Sequence, residues 1–98
     1  MCQASKLRSF LQGVYERYRL PIWLTEFNCG DGSRNASANE HLRYMKEAVP
    51  LLESLPFVER YAWMSARNTR DVGAALFHGT NSTTSLTTLG EWYAHAAV

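Results

Sequence analysis

Residues 21–27 read Pro-Ile-Trp-Leu-Thr-Glu-Phe, a run of β-branched and aromatic side chains that is too short for a helix. Pro21 ends helical hydrogen bonding before the run, because proline lacks a backbone N–H. Nearly continuous apolar residues are typical of strands in parallel sheets, which are buried on both faces. The segment therefore predicts a parallel strand, buried on both faces, in an α/β fold.

Helical periodicity flanks this strand on both sides. From Leu7 to Tyr18 the apolar residues are spaced three and one positions apart, which predicts a first helix that Ser5 can cap. Ser37 and Glu40 have the spacing of a capping box, and the apolar stripe behind them predicts a second helix. An alternating pattern over residues 57–65 then predicts a second strand. A strand, a helix and a strand in this order form a βαβ unit with parallel strands and a right-handed crossover.

The C-terminal part of the sequence predicts one more helix. Thr88 and Glu91 have the spacing of another capping box, and the apolar residues after them predict a helix that runs to the C-terminus. Two parallel strands with three helices leave unpaired sheet edges, which α/β proteins normally cover or extend. We therefore expect the 98 residues to form one domain that is a segment of a larger α/β array.

Composition and charge exclude several classes of function. The chain has 10 Lys+Arg against 9 Asp+Glu, a net charge of +1, and no basic stripe that predicts a nucleic-acid partner. The longest apolar stretch, residues 48–58, contains two prolines and Glu53 and is far shorter than the roughly 20 residues of a membrane span. The two cysteines lack CxxC spacing and the three histidines stand alone, so neither a metal site nor a cofactor is predicted. The N-terminus lacks the features of a secretory signal, so any export signal would lie upstream.

Glu26 is the candidate catalytic residue on chemical grounds. It is the only one of the nine carboxylates that lies inside an apolar run. An unpaired carboxylate at the end of a buried strand is poorly solvated, and such groups are concentrated at functional sites. A structural ion pair with a neighbouring arginine is the alternative interpretation.

Four ordered segments carry a resemblance to a known family: residues 21–27 (PIWLTEF), 44–53 (YMKEAVPLLE), 58–63 (VERYAW) and 86–94 (LTTLGEWYA). Together they resemble glycoside hydrolase family 128, and the resemblance spans Cys2 to Ala94. Members of this family are β-1,3-glucan-cleaving (β/α)8 barrels in which two glutamates act, at the ends of the fourth and seventh strands. The resemblance implies that residues 1–98 are the C-terminal segment of a TIM barrel: helix 6, strand 7, helix 7, strand 8 and helix 8, without the N-terminal strands.

The resemblance implies retaining endo-hydrolysis of β-1,3-glucan with Glu26 as the nucleophile. A retaining glycosidase needs an acid/base carboxyl about 5–5.5 Å from the nucleophile. The family's acid/base position precedes residue 1, so we expect the isolated chain to be inactive. Two alternatives stay open. The chain is either a non-catalytic β-glucan-binding module or a structural barrel fragment that pairs with a second copy or a missing N-terminal half.

The barrel fold also predicts which side chains face the substrate. The C-terminal ends of barrel strands form the substrate mouth, and side chains alternate along a strand. Glu26 is therefore expected to share the inward face with Ile22 and Leu24. Trp23 and Phe27 are expected to pack against helices.

Three further residues are implied to bind substrate. Trp63 matches an aromatic residue at the end of the eighth strand in the wider clan, where the ring stacks on a sugar, and core packing is the alternative. Tyr61 shares its strand face. Asn28 lies two residues beyond Glu26 and is expected to bind a glucan hydroxyl. In related enzymes the peptide bond after this tryptophan can be cis, so Trp63–Met64 is the predicted position of such a bond.

A disulfide between Cys2 and Cys29 is also predicted. Cys2 precedes the first helix and Cys29 follows the first strand. Because the helix and the strand run in opposite directions, both cysteines should lie at the mouth end of the barrel. The bond would contribute about 3 to 4 kcal/mol by the chain-entropy estimate. Two reduced thiols are the alternative, and the family resemblance implies an extracellular or cell-wall location.

Overall fold

The computed structural model describes residues 2–30, 36–67, 71–78 and 85–96. The main elements are helix α1 (Ala4–Tyr18), strand β1 (Ile22–Phe27), helix α2 (Ala38–Ser54), strand β2 (Val58–Trp63) and helix α3 (Thr88–Ala96). This order agrees with the sequence pattern. A 3₁₀ turn at Val72–Ala74 and an antiparallel pair of two-residue strands, β3 (Phe77–His78) and β4 (Ser85–Leu86), were not predicted. Among the described helices, none is long and apolar enough to cross a membrane.

Side-chain caps start two of the helices. The Ser37 hydroxyl accepts the Glu40 N–H at 3.1 Å, and the Glu40 carboxylate accepts the Ser37 N–H at 3.2 Å, which confirms the predicted capping box of α2. Helix α3 is capped by Thr87, whose hydroxyl accepts the Gly90 N–H at 2.9 Å. The predicted cap at Thr88 is therefore wrong by one residue, because the chain is already helical there. The predicted cap at Ser5 is wrong, because helix α1 already begins at Ala4, and Gln3 at its N-cap position makes no side-chain cap.

Strands β1 and β2 pair in parallel, which confirms the predicted βαβ unit. The register pairs Leu24 with Tyr61 and Phe27 with Trp63, and it is irregular between these two pairs. Between these two pairs the chain advances three residues along β1 but only two residues along β2, as it does at a β-bulge. Such an irregularity interrupts the alternation of side chains between the two faces of the sheet.

The irregular register turns both Leu24 and Phe27 toward the helices. Leu24 packs against the buried core and Phe27, 7% exposed, is part of it. Trp23 is 61% exposed, with the Arg60 guanidinium 5.4 Å from its ring centre. Glu26 is exposed as well, and it lines one cavity together with Leu24. The expectation that Trp23 packs against a helix is therefore wrong, whereas Phe27 packs against Tyr44 of α2 as expected.

The core lies between the sheet and α2. The apolar stripe that predicted α2 is the part of the helix that is buried, and it meets side chains from both strands and the other two helices. The largest contributions come from Leu11, Phe27, Tyr44, Met45, Val49, Leu52, Leu55, Trp63 and Leu89. Burying a large apolar side chain contributes about 1.5–3 kcal/mol, so this single layer of packing is the main source of stability.

A disulfide joins Cys2 to Cys29, whose Cα atoms are 4.6 Å apart, as predicted. The bond ties the start of α1 to the segment that follows β1. Potential ligand atoms of Cys2, Cys29 and Glu40 lie within 4.8 Å of one another. Sulfurs that are joined in a disulfide are not thiolates and do not bind a metal in that state, so this group is not a metal site.

Candidate active site

Glu26 lies next to the C-terminal end of β1, and its side chain is exposed. It lines an open cavity of about 370 Å³, hereafter the Glu26 cavity, whose other lining residues include Leu7, Phe10, Asn28 and Met64. Among the residues that the structure describes, Glu26 is the only carboxylate that lines this cavity. A single accessible carboxylate beside a polar amide and an apolar surface can attack or hydrogen-bond a bound ligand.

Asn28 connects the ends of the two strands. Its Nδ2 donates to the Met64 carbonyl at 2.8 Å, and its Oδ1 accepts the Gly30 N–H at 2.8 Å. The Met64 N–H in turn donates to the Phe27 carbonyl at 3.1 Å. A primary amide has two N–H donors and two acceptor lone pairs, so one of each is left after these contacts. Asn28 therefore lies beside Glu26, where the sequence placed it, with hydrogen-bonding capacity to spare.

Trp63 is a core residue. It is 6% exposed, its ring meets Phe27 and His41 edge-on at 5.2 and 5.7 Å between centroids, and its indole N–H donates to the Ala74 carbonyl at 2.8 Å. A sugar stacks only on a ring face that is free. The expected platform role is therefore wrong for Trp63, because its pairing with Phe27 turns the ring toward the helices.

Tyr61 shares the strand face of Trp63, as expected, and that face points toward α2. The hydroxyl donates to Glu53 Oε1 at 2.7 Å, and the ring meets Phe27 edge-on at 6.0 Å. Burial, and then the hydrogen bond to Glu53 and its negative charge, raise the pKa of Tyr61. Tyr61 joins β2 to α2 and lines a different cavity from Glu26, so its substrate contact stays a prediction.

Met64 supplies the exposed apolar surface at the end of β2. Met64 is 42% exposed and lines the Glu26 cavity, and its carbonyl accepts the hydrogen bond from the Asn28 amide. A non-proline cis peptide bond joins Met64 to Ser65, one position after the predicted one. The sequence analysis did not select Met64, because it assigned the sugar contact to Trp63, the aromatic residue directly before it.

The sequence analysis also missed a buried polar pair, His41 and Asp71. His41 is fully buried, its Nε2 lies 2.9 Å from Asp71 Oδ2, and its Nδ1 accepts the Cys29 N–H at 3.2 Å. One signal was available in the sequence. His41 lies four residues before Met45 and seven before Ala48, so it belongs to the buried stripe of α2.

Residues 1–93 match the family described as glycosyl hydrolase catalytic core. The structure is similar to a family 128 (subgroup I) endo-β-1,3-glucanase from Amycolatopsis mediterranei in complex with laminaritriose and laminaribiose. That comparison gives 38% identity and a TM-score of 0.80, and covers 95% of this chain and 38% of that one. A subgroup II endo-β-1,3-glucanase from Sorangium cellulosum gives 31% identity and a TM-score of 0.80, over 95% of this chain and 34% of that one. Alkali-sensitive linkage protein 1 of Schizosaccharomyces pombe is 33% identical over 94 residues, covering 91% of this chain and 17% of that protein.

The parallel βαβ unit, with a carboxylate at the end of its first strand, is matched to the two glucanase structures over 95% of this chain. The chain belongs to the glycosyl hydrolase catalytic core family. It spans 34% and 38% of the two glucanase chains, and 17% of the fission yeast protein.

Proposed function

We propose that this chain supplies the C-terminal part of a (β/α)8 barrel that hydrolyses β-1,3-glucan, with Glu26 as the nucleophile. In this assignment α1 is helix 6, β1 is strand 7, α2 is helix 7, β2 is strand 8 and α3 is helix 8. The observation that carries the proposal is the exposed carboxylate of Glu26 at the C-terminal end of a parallel strand, within the matched residues 1–93. Barrel enzymes place their catalytic residues at this end of their strands.

The chemistry is a double displacement with retention. Glu26 attacks the anomeric carbon and forms a covalent glycosyl ester, while an acid protonates the departing oxygen. The same acid then acts as a base and activates the water that cleaves the ester. No second carboxylate among the described residues lines the Glu26 cavity, so the acid/base residue belongs to a part of the barrel outside this chain. The free donor of Asn28 binds a glucan hydroxyl beside the reacting carbon, and Met64 contacts an apolar face of the sugar.

The substrate class is supported by the similar structures. Amycolatopsis mediterranei glucanase structures contain laminaritriose, laminaribiose and laminaripentaose, which are β-1,3-linked glucose oligomers. The Cys2–Cys29 disulfide supports an extracellular or cell-wall location, because disulfides persist in oxidising compartments. Both properties are carried over to this chain as part of the proposal.

A non-catalytic β-glucan-binding module is the second candidate, favoured by the single carboxylate in the Glu26 cavity. Holding a glucan needs hydrogen bonds and an apolar surface, but no acid/base pair. A structural role, in which a second copy or an N-terminal half covers the sheet, is favoured by the 61% exposure of Trp23. These functions differ in what Glu26 does.

The test is a chimaera in which this chain replaces the aligned part of the Amycolatopsis mediterranei glucanase. We expect it to hydrolyse laminarin, and Glu26→Gln to lower turnover on the order of 10⁴-fold or more, as loss of a nucleophile does. Glu59→Gln is the matched control, because Glu59 is an exposed carboxylate near the other end of β2 and should leave turnover unchanged.

Mass spectrometry separates the alternatives. 2-Deoxy-2-fluoro-laminaribiosyl fluoride should form an ester with Glu26 as its reactive fluoride leaves, and the fluorine at C2 should make hydrolysis of that ester slow. The sugar should therefore be found on the peptide that contains Glu26. A folded chimaera that binds laminaritriose without hydrolysing laminarin would support the binding module. Turnover that is insensitive to Glu26→Gln would overturn the nucleophile assignment.

A further inference from the structure

We infer that His41 is a positioning residue of this site. Asp71 holds the His41 ring, and His41 in turn fixes residues 28–30 and, through them, the two strand ends beside Glu26. The catalytic part of this inference rests on the proposed function. The geometric part rests on contacts that the structure shows.

The contacts of His41 define its protonation. The imidazole is completely buried, and its Nδ1 lies 3.2 Å from the Cys29 backbone nitrogen. A backbone N–H only donates, so Nδ1 must be the acceptor and carry no proton. The ring proton of the neutral imidazole is therefore on Nε2, from which it is donated to Asp71 Oδ2 at 2.9 Å. Asp71 thus selects the tautomer protonated at Nε2, whose Nδ1 can accept the Cys29 N–H.

A chain of hydrogen bonds leads from His41 to the Glu26 cavity. Cys29 directly follows Asn28, whose side chain accepts the Gly30 N–H at 2.8 Å and donates to the Met64 carbonyl at 2.8 Å. The His41 ring also meets Trp63 edge-on at 5.7 Å, one residue before Met64. His41 therefore contacts the segment after β1 and the end of β2 at the same time.

Packing alone does not account for a histidine at this place in the core. A leucine would fill a similar volume without the cost of burying an imidazole beside a carboxylate. What leucine lacks is the acceptor for the Cys29 N–H, a buried donor that would otherwise stay unpaired. The disulfide already restrains the Cys29 side chain, so His41 adds a separate restraint on the backbone. A displacement of about 1 Å near reacting groups can cost a factor of about 10² in rate, which is the reason such a restraint matters for catalysis.

The catalytic test uses the chimaera with two substitutions of His41. His41→Leu fills the space without an acceptor, whereas in His41→Asn the side-chain oxygen can take the place of Nδ1. We expect His41→Leu to lower kcat about 10- to 100-fold with little change in KM, and His41→Asn to recover most of the loss. His95→Leu, at an exposed histidine of α3, is the matched control and should leave both constants unchanged. Equal kcat in His41→Leu and the unaltered chimaera would overturn the inference, as would a His41→Asn variant no better than His41→Leu.

A second measurement keeps the geometric part testable on the 98-residue chain itself. Long-range ¹H–¹⁵N spectra should show His41 with an unprotonated Nδ1 and a protonated Nε2, and the Cys29 amide should exchange slowly with solvent. A protonated Nδ1 or a rapidly exchanging Cys29 amide would overturn the positioning role. A folded but inactive unaltered chimaera would overturn the proposed function alone, and the spectra would still decide whether His41 holds residues 28–30.

Discussion

Glu26 and Phe27 are neighbours in β1 with opposite surroundings, since Glu26 is exposed and Phe27 is buried. Phe27 is 7% exposed and meets Tyr44 and Trp63 edge-on, with centroids 6.5 and 5.2 Å away. Burying such a ring contributes about 1.5–3 kcal/mol, so its direction is well determined. Because successive side chains of a strand point to opposite faces, the burial of Phe27 directs Glu26 away from the core.

Met64 should report glucan binding at the Glu26 cavity. The chain has three methionines, of which Met45 is fully buried and Met64 is 42% exposed, while Met1 lies outside the described residues. With ¹³C-methyl methionine labelling, laminaritriose should shift the Met64 signal and leave Met45 unchanged, since a sugar alters the surroundings of only the exposed thioether. Met64→Leu assigns the signal. Binding seen by calorimetry with no movement of Met64 would place the sugar elsewhere.

Trp63 and Trp23 should differ in their effect on stability. Trp63→Phe removes part of a buried ring and the hydrogen bond to the Ala74 carbonyl, so we expect the free energy of unfolding to fall by about 1–3 kcal/mol. Trp23 is 61% exposed, and Trp23→Phe keeps an aromatic ring beside Arg60, so the change should stay within about 0.5 kcal/mol. Urea unfolding of the two variants measures both values. Equal losses would contradict the core assignment of Trp63.

Among the secondary-structure elements, helix α2 is the one that connects the parts of the fold. Its N-terminus is closed by the capping box of Ser37, and its first turn carries His41 against the segment after β1. Its last turns carry Glu53, whose carboxylate accepts the Tyr61 hydroxyl of β2 at 2.7 Å. The helix is therefore attached to the sheet by polar contacts near both ends and by apolar packing between them.

The burial of Tyr61, together with its hydrogen bond to Glu53, should make the free energy of unfolding fall at alkaline pH. The folded-state pKa of Tyr61 is raised above the ordinary value of about 10, so the folded protein holds the phenolic proton more tightly than the unfolded chain. This contribution is complete below about pH 10 and is lost as the pH rises toward the folded-state pKa. Burial also raises the pKa of Tyr44, so a comparison of variants is needed.

Urea unfolding from about pH 9 to 11, across the ordinary tyrosine pKa, makes that comparison. Tyr61→Phe should lose less of its free energy of unfolding over this range than the unaltered chain. Tyr18→Phe is the control, since Tyr18 is 61% exposed, and it should follow the unaltered chain. The same pH dependence in all three proteins would show that Tyr61 is not a source of the alkaline loss.

The whole molecule is a slab, with principal extents of 44 × 31 × 19 Å. Its radius of gyration is 13.9 Å, against about 13 Å for a compact domain of 100 residues. Exposed Trp23 and Arg60 lie on the side of the sheet away from the core. A slab with one covered sheet face is the shape expected of a sector of a barrel, whose other sectors would cover the second face.

The isolated 98-residue chain should not hydrolyse laminarin at an enzymatic rate. Loss of general acid assistance typically costs about 10²–10⁴-fold, and the groups that would position the sugar from other strands are also absent from this chain. A reducing-sugar assay on the purified chain, with Glu26→Gln as the control, measures this. A turnover of about 1 s⁻¹ or more is the lower end of the range for typical enzymes. If the chain reached this rate and Glu26→Gln abolished it, the chain would carry a complete site.

Local patterns in the sequence were enough to predict the order of the elements, the capping box of α2 and the place of Glu26 at the end of a parallel strand. Each depends on the spacing of residues within about one element, where helix and strand periods apply directly. The Cys2–Cys29 disulfide was also predictable, because the opposed directions of a helix and the next strand bring their ends together.

Only the tertiary structure decided which side chains surround Glu26. The register irregularity between Leu24 and Phe27 lets both side chains pack on the core and leaves Trp23 exposed, and it arises from the pairing of β1 with a strand that is distant in sequence. The burial of Trp63 follows from the same pairing. His41 and Asp71 are 30 residues apart, and no local period connects them. These features depend on contacts between residues far apart in the chain, whereas a sequence pattern describes the near neighbours of each residue.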